Sequence, residues 1–330
     1  MLRAMKHSAR FPMRHFLRLL LILASAAPGA FLLPASALAE DCQPLLDEFN
    51  RTIDSGDEGV AQKLVDRIAI SADCGRYQVA VQRRLAALRL NVVQLMMARG
   101  RPVADYDHLL SAAQSPEVMW QASATMGEVR FGERRFVEAA QAYDLAIEII
   151  KNETLTPVAP SKFEIEGLIG RSAEARLLAA NGVGSAEGKK FVKTAKDQRD
   201  GTLGGVYSRS VRGIVAHSIP VPVTFEYRTA TFTSVGQDAA RELLSALQEQ
   251  KPSRILLVGH TDVRGTAEFN LKLSRDRAQT LASFLRENGL TIPIDTDGRG
   301  ANDPMHLSDT SGLSEEDIYA LNRRVEWRRE

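Results

Sequence analysis

The sequence predicts an α+β protein in which an all-α amino-terminal half precedes a sandwich of one mixed β-sheet covered by helices. Apolar residues recur at helical spacing from Pro44 to about residue 180. Strands and helices alternate from residue 214 onward, and the segment 182–213 between the two regions is rich in glycine and lysine. A chain of 330 residues is long enough for about two such domains.

The first 39 residues are typical of a secretion signal. A basic leader precedes an uncharged apolar run, 19–33, and Ala37-Leu38-Ala39 has the small-x-small form of a signal-peptidase site. The run has fifteen residues, fewer than the roughly 20 that span a bilayer, which favours cleavage over the alternative of a retained membrane anchor. We therefore expect an exported protein, with peripheral or no membrane contact after cleavage.

Charge and cysteine content narrow the classes of partner. The signal segment contains five basic and no acidic residues, so its removal lowers the basic count from 42 to 37, against 41 acidic residues. The mature chain thus lacks the positive excess typical of nucleic-acid binding, and no nucleic-acid partner is expected. Cys42 and Cys74, the two cysteines, are predicted to form a disulfide in an oxidising compartment, and two free buried thiols are the alternative.

Residues 40–181 are predicted to form amphipathic helices that are interrupted near Gly56, Gly75 and Gly100. One part of this half resembles a tetratricopeptide repeat, on the spacing of Trp120, Met126-Gly127, Phe136, Ala139, Tyr143 and Ala146. The small residues would let two antiparallel helices approach closely while the aromatic rings fill the space between them. The resemblance implies a concave surface that binds a protein segment, and an irregular helical domain with a chance match is the alternative.

The connector, 182–213, is predicted to be a flexible tether with room for a short helix over 189–199. About thirty flexible residues would hold the two domains on the order of 30 Å apart.

The carboxy-terminal domain, 214–330, is predicted from alternating strand and helix signals. These are an edge strand over 219–227 marked by Pro220 and Pro222, a capping box at 234–237, a buried strand over 255–258, a helix stopped by Asn288-Gly289, a strand near Ile294 and a last strand around Val325 and Trp327.

The stretch Gly259–Ala278 contains the strongest site signal in the chain. Asp262 follows the buried strand and Arg277 lies in the next helix. A carboxylate and a guanidinium placed in this way can face each other across a strand-to-helix loop and present opposite charges to a zwitterionic ligand. An internal ion pair between the two side chains is the alternative.

Three blocks in this region carry a family resemblance: Gly259-His260-Thr261-Asp262 through Arg277-Ala278, then Gly298-x-Gly300-x-x-x-Pro304, then Asn322-Arg323-Arg324-Val325-Glu326. Together they resemble the OmpA carboxy-terminal, peptidoglycan-binding family, which includes Pal and MotB. The resemblance implies an OmpA-like α/β sandwich that binds the peptidoglycan stem peptide without cleaving it, through the diaminopimelate residue. It assigns the ligand ammonium to Asp262 and the carboxylate to Arg277, with further contacts from Thr261, Asn270, Leu273 and Arg323.

Several points stay open on the sequence alone. Asn270 and Ser274 are alternatively plain helix caps, and the roles of Arg323 and Arg324 are not separated. The segment 305–321 is long for the family, and is either a surface insertion or a short helix at the rim of the site.

Enzyme functions have weaker support. His260, Asp262 and Ser274 suggest a hydrolase triad, but no nucleophile elbow surrounds the serine. The histidines and cysteines have no metal-ligand spacing, and no cofactor is expected. The alternatives to a wall-binding tether are therefore an envelope scaffold or Tol-Pal-like adaptor, and, more weakly, a peptidoglycan-processing enzyme.

Overall fold

A computed structural model describes residues 42–71, 73–197, 199–307, 310 and 312–329. The predicted signal segment, 1–39, lies outside the described residues. Within them are ten α-helices and one four-stranded mixed sheet, which confirms the α+β fold class. None of the described helices combines the length and the apolar composition that a membrane span needs.

The amino-terminal half consists of helices joined by short turns. Their bounds are α1 Gln43–Ser55, α2 Glu58–Ile70, α3 Gln78–Ala98, α4 Asp107–Gln114, α5 Trp120–Gly132, α6 Phe136–Lys151 and α7 Lys162–Ala180. The predicted break near Gly56 follows from its left-handed conformation, with φ of 77°, which ends α1. Asp57 then begins α2 by accepting a hydrogen bond from the backbone N–H of Val60.

Cys42 and Cys74 form the predicted disulfide, with their Cα atoms 5.6 Å apart. Both cysteines are buried in a small apolar cluster with Phe49 and Ile68. The bond therefore ties the start of α1 to the turn that follows α2.

The helix pair α5 and α6 packs closely at the positions that the repeat-like spacing predicts. A Cβ atom on Gly127 would lie 2.5 Å from the ring of Tyr143, so only glycine fits at this crossing. Tyr143 is fully buried, and its hydroxyl donates to Glu128 at 2.7 Å. The identity of the region as a tetratricopeptide repeat remains a prediction.

The carboxy-terminal elements are β1 Ser218–Val221, α8 Ser234–Gln250, β2 Ile255–His260, α9 Ala267–Glu287, β3 Ile294–Gly300, α10 Glu315–Asn322 and β4 Val325–Arg329. The strand order is β1-β4-β2-β3, in which β4 is antiparallel to β1 and to β2, and β2 is parallel to β3. The predicted edge position of β1 is confirmed.

Two local predictions differ from the structure. The first strand ends at Val221 and does not extend to residue 227, because Pro222 follows it and has no backbone N–H to donate to a sheet. The first residue of α8 is Ser234, but its cap is Thr233, whose hydroxyl accepts from the N–H of Gly236 at 3.0 Å. The predicted capping box at 234–237 is therefore wrong: the cap lies one residue earlier, and Gly236 has no side chain to complete a box.

The connector is packed in the structure, in contrast to the expected flexible tether. Val192, Val206 and Tyr207 are buried in one apolar core with α6, α7 and the sheet. No helix is found over the described part of 189–199, where Thr194 instead donates from its N–H to Glu242 of α8 at 2.7 Å. Because these buried groups lie between the helical half and the sheet, the two regions share a core.

A line of buried charged residues crosses the same boundary. Arg176 of α7 pairs with Asp144 of α6 and donates to the carbonyl of Val192 in the connector. Asp144 also accepts from Ser172 at 2.7 Å and from the N–H of Val206 at 3.1 Å. Each buried charge thus has partners, which lowers the cost of removing it from water.

Candidate functional site

The topology brings three chain segments to one edge of the sheet. Parallel strands β2 and β3 end there, and β4 begins there because it runs antiparallel to β2. Within this edge, the N–H of His260 donates to the carbonyl of Arg324, and that of Thr261 donates to the carbonyl of Gly300, both at 2.9 Å. The predicted site residues Thr261, Asp262 and Arg323 are therefore adjacent.

Helix α9 adds one buried face to this edge. Asn270, Leu273, Ser274 and Arg277, spaced at three and four residues, are all buried. A glycine in β2 permits the close approach, because a Cβ atom on Gly259 would lie 2.0 Å from the carbonyl oxygen of Ser274.

Asn270 and Ser274 do not cap a helix; that alternative is wrong. The cap of α9 is Thr266, which accepts from the N–H of Phe269 at 3.2 Å. Asn270 donates from Nδ2 to the carbonyl of Asp262 at 3.3 Å, and so holds the site loop against α9. The Ser274 hydroxyl accepts from the N–H of Gly300 at 2.9 Å and fixes the end of β3.

The Asp262 carboxylate is almost buried and is bound by two arginines. Its Oδ2 accepts from Nε of Arg264 at 3.1 Å and from Nη1 of Arg323 at 2.9 Å. Its Oδ1 accepts from the N–H of Arg264 at 3.1 Å, which closes a tight turn. Burial by itself would raise the pKa of Asp262, but these hydrogen bonds hold it below its ordinary value. The carboxylate is therefore anionic at neutral pH.

Arg277 is 6% exposed and has no carboxylate partner among the described residues. Its Nε donates to the carbonyl of Thr229 at 3.0 Å, and its guanidinium lies 5.1 Å from the ring centre of Phe225. Burial, and secondarily the charge of Arg323, lowers its pKa to about 10, while Asp262 acts in the opposite direction. The alternative of an internal Asp262–Arg277 ion pair is wrong, although the two charges lie within electrostatic range.

The structure separates the two arginines that precede β4. Arg323 is partly exposed and contacts Asp262. Arg324 is buried and pairs with Glu326 through Nη2 at 2.6 Å and Nε at 2.9 Å. Of the two, Arg323 is the one that contacts Asp262.

His260 lies beneath the site, and its environment is that of a structural residue. It is fully buried, and its Nδ1 contacts the carbonyl of Asp303 at 3.1 Å. Burial, with a further contribution from Arg324, lowers its pKa to about 4. The Ser274 hydroxyl is already bonded to the carbonyl of Leu271 and the N–H of Gly300. These contacts leave no serine–histidine pair of the kind that the triad hypothesis requires.

The segment 305–321 includes the short helix α10, which rims the site. Its Glu316 accepts from Arg264 at 3.1 Å and from Arg323 at 3.2 Å. The ring of Tyr319 lies 4.8 Å from the Arg264 guanidinium. Of the two readings of this segment, the rim helix is the one observed.

The contacts of Arg264, Thr229 and Phe225 were not predicted from the sequence. The close spacing of Asp262 and Arg264, typical of an Asx turn, was a usable signal for the first contact. No sequence pattern connects residues 225–229 to Arg277, some fifty positions away.

Comparison with known proteins matches residues 224–316 to the model of the OmpA family. The carboxy-terminal domain is an OmpA-family domain. The probable lipoprotein YiaD of Escherichia coli is 32% identical over 132 residues, which are 40% of this chain and 57% of that protein. The peptidoglycan-associated lipoprotein of Legionella pneumophila is 31% identical over 104 residues, which are 31% of this chain and 56% of that protein.

The chain thus spans about half the length of each of these two relatives. Among solved structures, the peptidoglycan-associated lipoprotein of Burkholderia pseudomallei is 25% identical, with 35% of this chain and 91% of that chain covered and a TM-score of 0.28. The matched region contains Asp262, Arg277 and most of the OmpA-family domain, whereas Arg323 and β4 lie beyond its end. Among the described residues, no group of three or more His, Cys, Asp or Glu side chains is arranged to hold a metal ion.

Proposed function

We propose that this protein is exported and binds peptidoglycan non-covalently in the periplasm, through the diaminopimelate residue of the stem peptide. The observation that carries the proposal is the pair of opposite, separately held charges at one edge of the sheet. Asp262 is an anion with several donors around it, and Arg277 is a buried cation without a carboxylate partner among the described residues.

The free end of the diaminopimelate side chain bears an ammonium and a carboxylate on one carbon atom. Asp262 offers acceptor oxygens for the ammonium, and Arg277 offers a guanidinium for the carboxylate. Leu273, one turn before Arg277, and Thr261, next to Asp262, line the same edge. The Thr261 hydroxyl oxygen is buried without a hydrogen-bond partner among the described residues, and a ligand polar group that reached it would supply one.

An unpaired buried guanidinium is costly to a folded protein, and the lowered pKa of Arg277 reflects that cost. A ligand carboxylate would supply the missing counter-charge. In free solution the same carboxylate is fully hydrated, so its contribution to the binding free energy is the difference between its interaction with Arg277 and its interaction with water. A hydrogen bond to a charged group contributes about 1.5–3 kcal/mol, or about 10- to 100-fold in affinity.

The relatives agree with this class of ligand, since one of them is named a peptidoglycan-associated lipoprotein. The sequence features of 1–39 add the expected route to the wall, a secretion signal. The contacts of Ser274 and His260 favour binding without cleavage.

Co-sedimentation with purified sacculi tests this proposal. We expect the wild-type protein to sediment with sacculi, and Asp262→Asn and Arg277→Gln each to lose most of the bound fraction. Asp276→Asn and Arg241→Gln are matched controls, because both residues are exposed and, within the described part of the chain, form ion pairs only with neighbours on their own helix. Sedimentation of the two site variants at the wild-type level would overturn the assignment.

Incubation of sacculi with the protein separates a binder from an enzyme. We expect no released muropeptides at any protein concentration that saturates binding. Release that is lost in Asp262→Asn would favour the processing enzyme instead.

For the helical half, we propose the binding of a protein segment, as an envelope scaffold or Tol-Pal-like adaptor would do. Its support is a pair of exposed apolar side chains: Val158, before α7, is 84% exposed, and Phe163, in the first turn of α7, is 69% exposed. Pull-down of the full chain from envelope extract, compared with Phe163→Ser, tests this role. Capture that is the same for both proteins would argue against this surface.

A further inference from the structure

One ion pair joins the helical half to the rim of the candidate site. Arg134, in the turn between α5 and α6, binds Asp317 of α10 with Nη1–Oδ2 at 2.6 Å and Nη2–Oδ1 at 3.0 Å. The contact is bidentate, and in this geometry an arginine fixes both the position and the orientation of a carboxylate. Arg134 also donates to the carbonyl of Gly312 at 3.4 Å, just before α10.

Asp317 lies in the first turn of α10, whose cap is Ser314. Its side chain is 3% exposed, and Oδ2 accepts from the N–H of Ser314 at 2.8 Å in a capping box. Burial by itself would raise the pKa of Asp317, but Arg134 and Ser314 hold it below its ordinary value. Without Arg134, a buried carboxylate at the start of a two-turn helix would lack its counter-charge.

The neighbouring residue of α10 faces the site. Glu316 contacts Arg264 and Arg323, and both of these arginines are bonded to Asp262. A continuous series of contacts therefore runs from Arg134 in the helical half, through α10, to the carboxylate that is proposed to bind the ligand.

Arg264 gives this series a functional consequence. Its guanidinium is half-exposed and uses the Asp262 oxygen that an incoming ammonium would need. Glu316 and the ring of Tyr319 are the other partners of the same guanidinium. A correctly placed α10 can therefore hold Arg264 when a ligand ammonium displaces it from Asp262.

We propose that Arg134 is a positioning residue for the ligand site: it fixes α10 as one wall, and thereby links ligand binding to the helical half. The inference rests on the proposed function, because the ligand is the one assigned to Asp262 and Arg277. Loss of the Arg134 contact leaves Arg264 on Asp262 as a competitor of the ligand and weakens binding. Residues along such a series change affinity by about 2- to 30-fold.

The backbone of Arg134 offers a variant that separates this role from folding of the turn. Its φ is +62°, in the left-handed region that glycine adopts freely and arginine does not. Arg134→Gly therefore removes the ion pair while it relieves the backbone. Asp317→Asn is the second variant, because the asparagine oxygen can still accept from the N–H of Ser314 while the negative charge is removed. Arg135→Ala is the control, because Arg135 is adjacent and its carboxylate partners among the residues that the structure describes are Glu133 and Glu138.

Two measurements on the full exported chain test the inference. Hydrogen exchange without ligand reports on the amides of Glu315–Asn322. Titration calorimetry with a stem peptide that contains diaminopimelate gives the dissociation constant. We expect Arg134→Gly and Asp317→Asn to lose protection in α10 and to bind about 2- to 30-fold more weakly, whereas Arg135→Ala matches the wild type.

The outcomes distinguish this inference from the proposed function. Unchanged α10 protection in both variants, or unchanged affinity after α10 has opened, overturns the positioning role and leaves peptidoglycan binding intact. Failure of the wild-type protein to bind the stem peptide overturns the proposed function, and the positioning role with it.

Discussion

Replacement of Arg277 by methionine tests whether this guanidinium is kept for a ligand or for the fold. Burial lowers the pKa of Arg277 from its ordinary value to about 10, which corresponds to about 3 kcal/mol against the charged form in the folded protein. At neutral pH both the folded and the unfolded chain carry the charge, so this cost is present in full and would shrink only as the pH rises above about 10.

The substitution also removes favourable contacts. The hydrogen bond to Thr229 contributes about 1.5–3 kcal/mol, and the contact with Phe225 is partly retained because methionine is flexible and packs well against aromatic rings. We therefore expect Arg277→Met to unfold with a free energy equal to the wild-type value or up to about 2 kcal/mol higher, and to lose sacculus binding.

Urea denaturation followed by circular dichroism measures this difference. Arg241→Met, which removes one arginine of an exposed ion pair, is the control. A variant that is destabilised by more than about 1 kcal/mol would refute the reasoning. It would mean that the buried charge is compensated within the fold and needs no ligand carboxylate.

Three further predictions concern the fold. The pKa of His260 is about 4 in the folded protein and 6.5 in the unfolded chain, so the free energy of unfolding should rise by up to about 3 kcal/mol between pH 4 and 6.5. Urea titrations at a series of pH values should show this rise for the wild type and a flatter one for His260→Gln. Gly127→Ala should lower the free energy of unfolding by about 1–3 kcal/mol through overpacking. Gly170 has open space around it, so Gly170→Ala should raise that free energy by up to about 1 kcal/mol. Equal unfolding midpoints for the two variants would contradict the close packing at Gly127. Replacing Cys42 and Cys74 by alanine should cost about 3–4 kcal/mol and loosen α1 to α3, as hydrogen exchange would show; unchanged protection there would argue against a stabilising role.

Much of the candidate site was predictable because its residues are close in sequence. Asp262, Asn270 and Arg277 lie on one strand-to-helix unit, so their convergence follows from the geometry of a loop and one helix face. The same local reasoning found the disulfide and the close α5–α6 crossing at Gly127.

Features that depend on distant contacts were not predictable in this way. In the connector, Val192, Val206 and Tyr207 are scattered among glycine and lysine residues, so neither a helical nor a strand period marks them as buried. Their burial depends on surfaces that α7 and α8 supply. Arg134 and Asp317 are likewise nearly two hundred positions apart, and nothing in either local sequence indicates their pairing.

The most direct test of the central claim compares two stem peptides that differ in one group. A peptide with diaminopimelate carries the carboxylate assigned to Arg277, whereas the matching lysine peptide keeps the ammonium and lacks that carboxylate. We expect calorimetry to show at least about tenfold tighter binding of the diaminopimelate peptide by the wild type, and no such preference in Arg277→Met. Equal affinity of the wild-type protein for both peptides would contradict the account.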